Sequence, residues 1–348
     1  MKKYYGIELL RFFTSVSIIL YHYRLFFEPF NTLSSKNFSS TVHKLPFNSV
    51  LEVFYINGIF GVPVFYAISG FVFSFVYLSP LKKTYYKEFF INRFARLYPL
   101  HFLTLIIVLL LQYISLINFD SFQFNLINDF YHFALQIFFI SAWGFEEGHS
   151  FNSPIWSVSV EIAIYVIFFF LINTIKKYRT YFVFLVVILL SVIGKHYDFH
   201  KLFLDCARLF FSGVLVFYLC NEKKYLFFLC IGSVLLVIFS FIGSFKLFIF
   251  CPALLMFFVT IEETLEKNKI KSIFKNLGNL TYSLYLIHVP LQIFIVLLVG
   301  YFNISESLFL SPLFFILYFI ITFLLAYCSF TYYEFPLNNS IRRKLKKH

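Results

Sequence analysis

GIELLRFFTSVSIILYHYRLFF, residues 6–27, decides how this chain folds. The run is apolar and long enough to cross a bilayer, yet it carries Arg11 and His22. At about 100° per residue, the step from Arg11 to His22 is roughly three turns, so both side chains lie on one stripe about 16 Å long. The stripe reads Glu8, Arg11, Ser15, Ile18, His22, and the other faces are Phe, Leu, Ile and Val. Facing lipid, an Arg at mid-helix opposes insertion by about 2.5–3.5 kcal/mol. The stripe is therefore expected to face protein or a water-filled hollow. Taken alone, Arg11 reads as a residue paired to Glu8 that snorkels to the headgroups. The aligned pair of ionisable residues reads as functional.

Working outward, the rest of the composition agrees. Of 348 residues, 60% are hydrophobic, 24% aromatic and 13% charged, with mean hydropathy +0.80. Such a chain is expected to be an all-α polytopic membrane protein. The net charge of +12 does not point to nucleic acid, because the cations sit in short loops between apolar runs. The five Cys lie in or beside apolar stretches without metal-ligand spacing, so they read as buried small hydrophobes, and no metal is expected. Lys2 and Lys3 precede an apolar run as in a signal peptide, but Arg11 interrupts it and no small-residue cleavage site follows, which favours a retained first helix.

Ten spans are expected, at 6–27, 57–79, 97–117, 154–175, 180–195, 205–220, 225–242, 246–261, 279–300 and 309–331. With both termini cytoplasmic, about 21 cations fall inside and about six outside, as the positive-inside rule asks. One integral-membrane domain, 1–348, results. It has long outer loops at 28–56 and 118–153 and a basic cytoplasmic tail at 335–348. Within the second loop, FYHFALQIFFISAW (130–143) is too short to span and too apolar to float, so it reads as re-entrant or interfacial.

Five further stretches carry chemistry. FGVPVFYAISGFVFSFVY places Ser69 and Gly70 where helices can approach closely. In FFINRFARLYPLHF, Arg93 and Arg96 lie one turn apart; they either clamp a phosphate or anchor the chain to headgroups. Pro99 is expected near the start of the third span. SPIWSVSVEIAIYVIFFF puts Glu161 two turns into a span without a cation on its own helix. It either pairs with His22, raising the basicity of the imidazole, or stays neutral against a hydroxyl. LGNLTYSLYLIHVPLQIF sets Asn279, Tyr282, Tyr285 and His288 on one face, a pattern that packing alone also produces. TYYEFPLNN brings Glu334 to the side of Arg93 and Arg96, where a structural ion pair is expected.

Together, in order and over nearly the whole chain, these stretches resemble the integral-membrane acyltransferase-3 family. Arg11 and His22 match its Arg-x10-His, and VFYAISGFV is similar to its FF-x-SGF segment. RFARLYP matches Arg-x-x-Arg-x-Tyr-Pro, and IWSVSVE matches Trp-Ser-x-x-x-Glu. LTYSLYLIH and YYEFP complete the set. The family's ten core helices agree with the ten spans. Phe12 stands where the family usually has Gly, and the extracytoplasmic hydrolase-like domain of some members is not expected here.

The resemblance implies transfer of an acyl group, often acetyl, from a cytoplasmic thioester such as acetyl-CoA or another acyl-CoA to a hydroxyl of a cell-surface carbohydrate, at the cytoplasmic membrane and among its lipids. On that reading Arg11, Arg93 and Arg96 hold the donor. His22, oriented by Glu161, serves as general base or as acyl-accepting nucleophile. Ser69, Tyr285 and His288 line the passage. The rivals are an exporter or flippase for a polysaccharide or lipid-linked sugar, and an inert membrane scaffold. A scaffold has no need of Arg11 and His22 in its first helix.

Overall fold

A computed structural model describes residues 4–27, 42–78, 86–196, 201–221, 226–240, 246–262 and 271–346. These are helical, with no β strand among them. The elements are α1 (Tyr5–His22), α2 (Asn48–Asn57), α3 (Gly61–Tyr77), α4 (Tyr86–Phe119), α5 (Phe130–Ile137), α6 (Ile155–His196), α7 (Lys201–Cys220), α8 (Leu226–Ser240), α9 (Lys246–Thr260), α10 (Lys271–Tyr301), α11 (Pro312–Ser329) and α12 (Phe335–Lys346). Among the described residues, six segments are long and apolar enough to cross a membrane: Asn48–Tyr77, Tyr86–Phe119, Ile155–Gly194, Lys201–Cys220, Asn276–Tyr301 and Pro312–Leu345. The expected cations Lys2, Lys3, Lys82, Lys83, Lys223, Lys224, Lys267, Lys269 and Lys347, and outer-loop residues 28–41, lie outside the described residues.

Several expected boundaries move, each for a local reason. The α-form of the first helix ends at His22 and continues as a 3-10 turn, Tyr23–Phe27. The third span does not open at Pro99; its helix begins at Tyr86, because the amphipathic KEFFINRFARLY is itself helical, so Pro99 lies inside α4. The fourth and fifth spans form one element, broken only at Arg179, whose φ of 49° is left-handed. The expected basic tail is largely the helix α12, which packs along α4. In the second long loop, α5 spans only eight residues and exposes Phe130 and Tyr131, with Phe138 exposed just past its end. Cys328 departs from the buried pattern and is exposed on α11.

The chain forms two compact units: Met1–Thr14, Phe60–Tyr85 and Val160–Asn279 make the first, and Ser15–Ile59, Tyr86–Ser159 and Leu280–His348 the second. In the first unit α3 packs closely on α7 through two reciprocal glycines. A Cβ on Gly70 would overlap the Phe210 carbonyl oxygen, and one on Gly213 would overlap that of Ala67. Small residues at such crossings let backbones touch where no hydrophobic gain separates helix from lipid. Phe73 then stacks on Tyr165 at 4.2 Å and meets Phe168 and Phe210 edge-on. Just past α9, the buried Glu262 carboxylate accepts from the first backbone N–H groups of α1, Tyr5 at 2.9 Å and Gly6 at 2.8 Å. These donors have no partner within their own helix, and the helix dipole favours an anion there.

In the second unit, Tyr23, Phe26, Phe309, Phe315 and Tyr318 form an aromatic core, and the Tyr23 hydroxyl donates to the Phe309 carbonyl at 2.8 Å. Along α11, Leu313, Ile316, Leu317, Ile320, Ile321 and Leu324 are exposed at helical spacing, a stripe that suits acyl chains.

The glycine crossing yields a direct test. Gly70→Ala should cost upward of about 3 kcal/mol, since the obstacle is backbone that cannot yield, and should markedly lower the thermal unfolding midpoint of the purified protein. Gly232→Ala, whose added Cβ meets nothing within 4 Å, is the control and should leave the midpoint unchanged or raise it. Equal midpoints for the two variants would contradict this packing.

Candidate functional site

The second unit gathers its polar groups along one face of α10, and each meets a different segment. The Tyr282 hydroxyl donates to the Leu97 carbonyl on α4 at 2.7 Å. Ser283 Oγ donates to Glu334 Oε2 at 2.7 Å. The Tyr285 hydroxyl donates to the Pro154 carbonyl at 2.7 Å and accepts from Ser157, also at 2.7 Å. His288 Nε2 lies 2.9 Å from His22 Nδ1, with the rings stacked 5.0 Å apart and 20° from parallel. Gln292 Nε2 donates to the His22 carbonyl at 2.8 Å, satisfying a carbonyl that the end of the α-helix leaves unpaired.

Tautomers follow from this network. His288 Nδ1 faces the Leu284 carbonyl at 3.2 Å, and a carbonyl only accepts, so Nδ1 carries the proton. The lone pair on His288 Nε2 must then accept from His22 Nδ1–H. That leaves His22 Nε2 with its lone pair, and no hydrogen bond to it is formed among the described residues. The pair thus repeats the logic of an oriented base: one imidazole fixes the tautomer of the next and supports the cation that forms when it takes a proton.

Two buried amides, Gln292 and Asn152, bond to the segments that carry the pair. Asn152 donates through Nδ2 to Thr104 and to the Leu286 carbonyl, both at 3.1 Å, so its Oδ1 is turned elsewhere. Asn152 Oδ1, Gln292 Oε1 and Gln136 Oε1 are buried and accept no hydrogen bond. His149 and Arg24 stand within electrostatic reach of His22. In the loop segments, burial pushes the His149 imidazole below its usual range. The backbone N–H and ring of His132 hold the Asp129 carboxyl below its own, as fits a helix cap: Asp129 accepts from His132 N–H at 2.8 Å.

The remaining expected residues fall as follows. Arg96 Nη1 meets Glu334 Oε1 at 3.1 Å, with Glu334 only 1% exposed. Glu334 closes a π-helical turn, Phe330–Glu334, and the adjacent Tyr333 hydroxyl donates to the Pro99 carbonyl at 3.3 Å. Arg93 is half-buried one turn before Arg96 on α4. Arg11, Ser69 and Glu161 belong to the first unit. Arg11 pairs with Glu8 at 3.3 Å, and Gly278 lets Glu8 lie there, since a Cβ on it would overlap Glu8 Oε2. Glu161 lies within electrostatic reach of buried Cys206. No group of three His, Cys, Asp or Glu suited to a metal occurs among the described residues.

Sequence reasoning passed over Gln292, Asn152, His149 and Glu262. It also passed over Arg208, buried on α7, paired to Asp205 and lying over the Phe248 ring at 3.1 Å. Gln292 was detectable as the next residue, four on from His288, of the same polar face. Asp205 and Arg208 carry an i,i+3 spacing that a search for paired charges finds.

The Arg96–Glu334 pair makes its own prediction. Arg96→Met leaves a buried carboxylate uncompensated and should destabilise the protein by about 3–5 kcal/mol. Adding Glu334→Gln to that variant should recover most of the loss, as read by thermal unfolding. Additive losses in the double variant would show that the two residues act separately.

Comparison with known proteins gives one match. The acyltransferase-3 family model, described as an acyltransferase domain, matches residues 4–331. No curated protein and no solved structure matches. With nearly the whole chain covered, and with its Arg-x10-His, Trp-Ser-x-x-x-Glu and Tyr-Leu-Ile-His segments carrying the groups just described, this protein is a member of the acyltransferase-3 family of membrane acyltransferases.

Proposed function

We propose that the chain is a membrane O-acyltransferase that moves an acyl group, acetyl in the first instance, from a cytoplasmic acyl-CoA to a hydroxyl of a cell-surface carbohydrate. On this reading residues 1–348 act as one domain in the cytoplasmic membrane, with ten spans and both termini cytoplasmic. The observation that carries it is the His22–His288 pair, which orients the His22 ring and leaves the lone pair on its Nε2.

The reaction then balances simply. His22 Nε2 takes the acceptor hydroxyl proton while the oxygen attacks the thioester carbonyl. The tetrahedral intermediate expels the CoA thiolate, which recovers the proton from Nε2. Throughout, His22 Nδ1–H stays bonded to His288, which supports the transient imidazolium. If His22 instead takes the acyl group as nucleophile, Nε2 is again the acting atom. Tyr285 holds the start of α6 and, with His288 and Ser69, is assigned to the passage. Glu161 is assigned a catalytic carboxylate role. Arg93 and Arg96 are assigned to the donor phosphates, with Arg11 serving the same donor; Arg96 does so while also compensating Glu334.

Donor-dependent acyl transfer by purified protein tests the reading against export or flipping. His22→Ala should lower kcat about 10²–10⁴-fold. His288→Ala should lower it less, and His288→Gln, whose amide oxygen can still accept from His22 Nδ1–H, should recover part of the loss. Wild-type turnover in His22→Ala would remove the assignment.

Arg93→Ala should raise the donor KM about tenfold, one charge-assisted contact, with kcat little changed. An unmoved KM would return Arg93 to the role of a headgroup anchor.

A further inference from the structure

The first unit holds a cavity of about 380 Å³ at the break in α6, beside the end of α7 and the start of α8. Arg179, Thr180 and Tyr181 line one side, and Tyr218, Leu219 and Asn221 the other. Leu229, in the first turn of α8, completes the lining. The volume falls within the range of small-molecule sites, roughly 300–1,000 Å³. Lys201–Cys220 is long and apolar enough to cross a membrane, so Leu219 and Asn221 stand where that helix leaves the apolar layer, at the depth of the headgroups.

The backbone at Arg179 is strained. Its φ of 49° and ψ of −130° are torsions that glycine adopts freely and a residue with a Cβ rarely does. Glycine would make this turn without strain, yet the chain places a guanidinium there, and outliers of this kind gather at ligand clamps. The guanidinium lies 5.7 Å from the centre of the Tyr218 ring, a cation–π contact. The Tyr218 hydroxyl donates to the Ile175 carbonyl at 3.2 Å, which holds that ring in place. Thr180 and Asn221 add a hydroxyl and an amide to the lining, and among the described residues no Asp or Glu joins it. A cation with neutral donors and no acid around it is complementary to an anion, and to a phosphate above all.

An apolar track leads away from this polar end. Tyr181, in the cavity wall, is followed along α6 by Phe184, Leu185, Ile188 and Val192, all exposed. Their spacing sets them on one face of the helix, a track about 16 Å long. A water-soluble phosphate has no use for such a track, whereas an amphiphile fills both parts.

We infer that this cavity binds the headgroup of an acidic glycerophospholipid. Arg179 takes the phosphodiester, Thr180 and Asn221 bond its oxygens, and one acyl chain lies along Phe184, Leu185, Ile188 and Val192. The lipid bridges the two halves of α6 and the end of α7, and its charge offsets the strain of seating an arginine at the turn. This site is independent of the acyl-transfer reading.

The test uses full-length protein purified in detergent. It is titrated with dioleoyl phosphatidylglycerol, with dioleoyl phosphatidylcholine, with glycerophosphoglycerol as the headgroup without acyl chains, and with CoA. Native mass spectrometry counts bound lipid, and the thermal unfolding midpoint is read in parallel. Wild type should bind phosphatidylglycerol at least about tenfold more tightly than phosphatidylcholine, one charge-assisted contact's worth, and its midpoint should rise with the former. Neither glycerophosphoglycerol nor CoA should displace the lipid. Arg179→Gly and Arg179→Asn accept the positive φ, so without lipid each should unfold at or above the wild-type midpoint, while affinity for phosphatidylglycerol falls about tenfold. Arg179→Lys, which keeps the charge, should retain most of the preference. Asn221→Asp leaves the turn untouched and puts a carboxylate in the cavity; it should weaken phosphatidylglycerol binding by a similar factor, and it decides the matter if the Arg179 variants fail to fold. Equal affinity for the two lipids, or wild-type binding in Arg179→Gly or Asn221→Asp, overturns the site. Displacement of the lipid by CoA or by glycerophosphoglycerol overturns the lipid assignment in favour of a soluble phosphate.

Discussion

A polar side chain inside an apolar bundle must find a partner or leave, and α10 carries five that found theirs on other segments. Tyr282, Ser283, Tyr285, His288 and Gln292 bind α4, the π-turn carboxylate of Glu334, the entry to α6, and the end of α1. Each such bond contributes little net, about 0.5–1.5 kcal/mol, but leaving each group unmet costs about 1–3 kcal/mol. Sliding α10 by one residue would strand all five together, a penalty of about 5–15 kcal/mol, comparable with the whole stability of a typical domain. The face of α10 therefore fixes the register of the second unit, and the catalytic pair is one rung of it.

Among the described residues, buried atoms without a hydrogen-bond partner include donors, such as Arg208 Nε and Ser141 Oγ, and also the amide oxygens of Gln123, Gln136, Asn152 and Gln292. In each of these four amides the nitrogen is engaged, so the oxygen's direction is set by the fold. The free nitrogen of His22 adds another acceptor. Arg93 and Arg96 lie near the start of α4, whereas Arg24 stands within electrostatic reach of His22.

Much of this was legible in the residues. Apolar runs announced the long apolar helices, six of which among the described residues could cross a membrane. The Tyr282–Tyr285–His288 spacing announced a polar face, although spacing could not say whether it packed or worked. The ends of elements were less legible. KEFFINRFARLY is amphipathic enough to extend α4 back past Pro99, and tertiary contacts with α12 and Glu334 keep it there. Arg179 breaks α6 in a single residue, where sequence suggested a loop. The residues alone left Glu161 either paired with His22 or neutral against a hydroxyl, and gave no sign of His288 beside His22. An imidazole from another helix serves the orienting role equally well, and no spacing within one helix reveals it.

The central claim is the protonation pattern of two rings, and it is directly measurable. Nitrogen-15 NMR of protein labelled in the histidine rings, with His22→Ala and His288→Ala used for assignment, should find His22 protonated at Nδ1 and bare at Nε2, and His288 protonated at Nδ1, with a coupling across the hydrogen bond between His22 Nδ1 and His288 Nε2. A His22 ring protonated at Nε2, with no coupling to His288, would contradict the account.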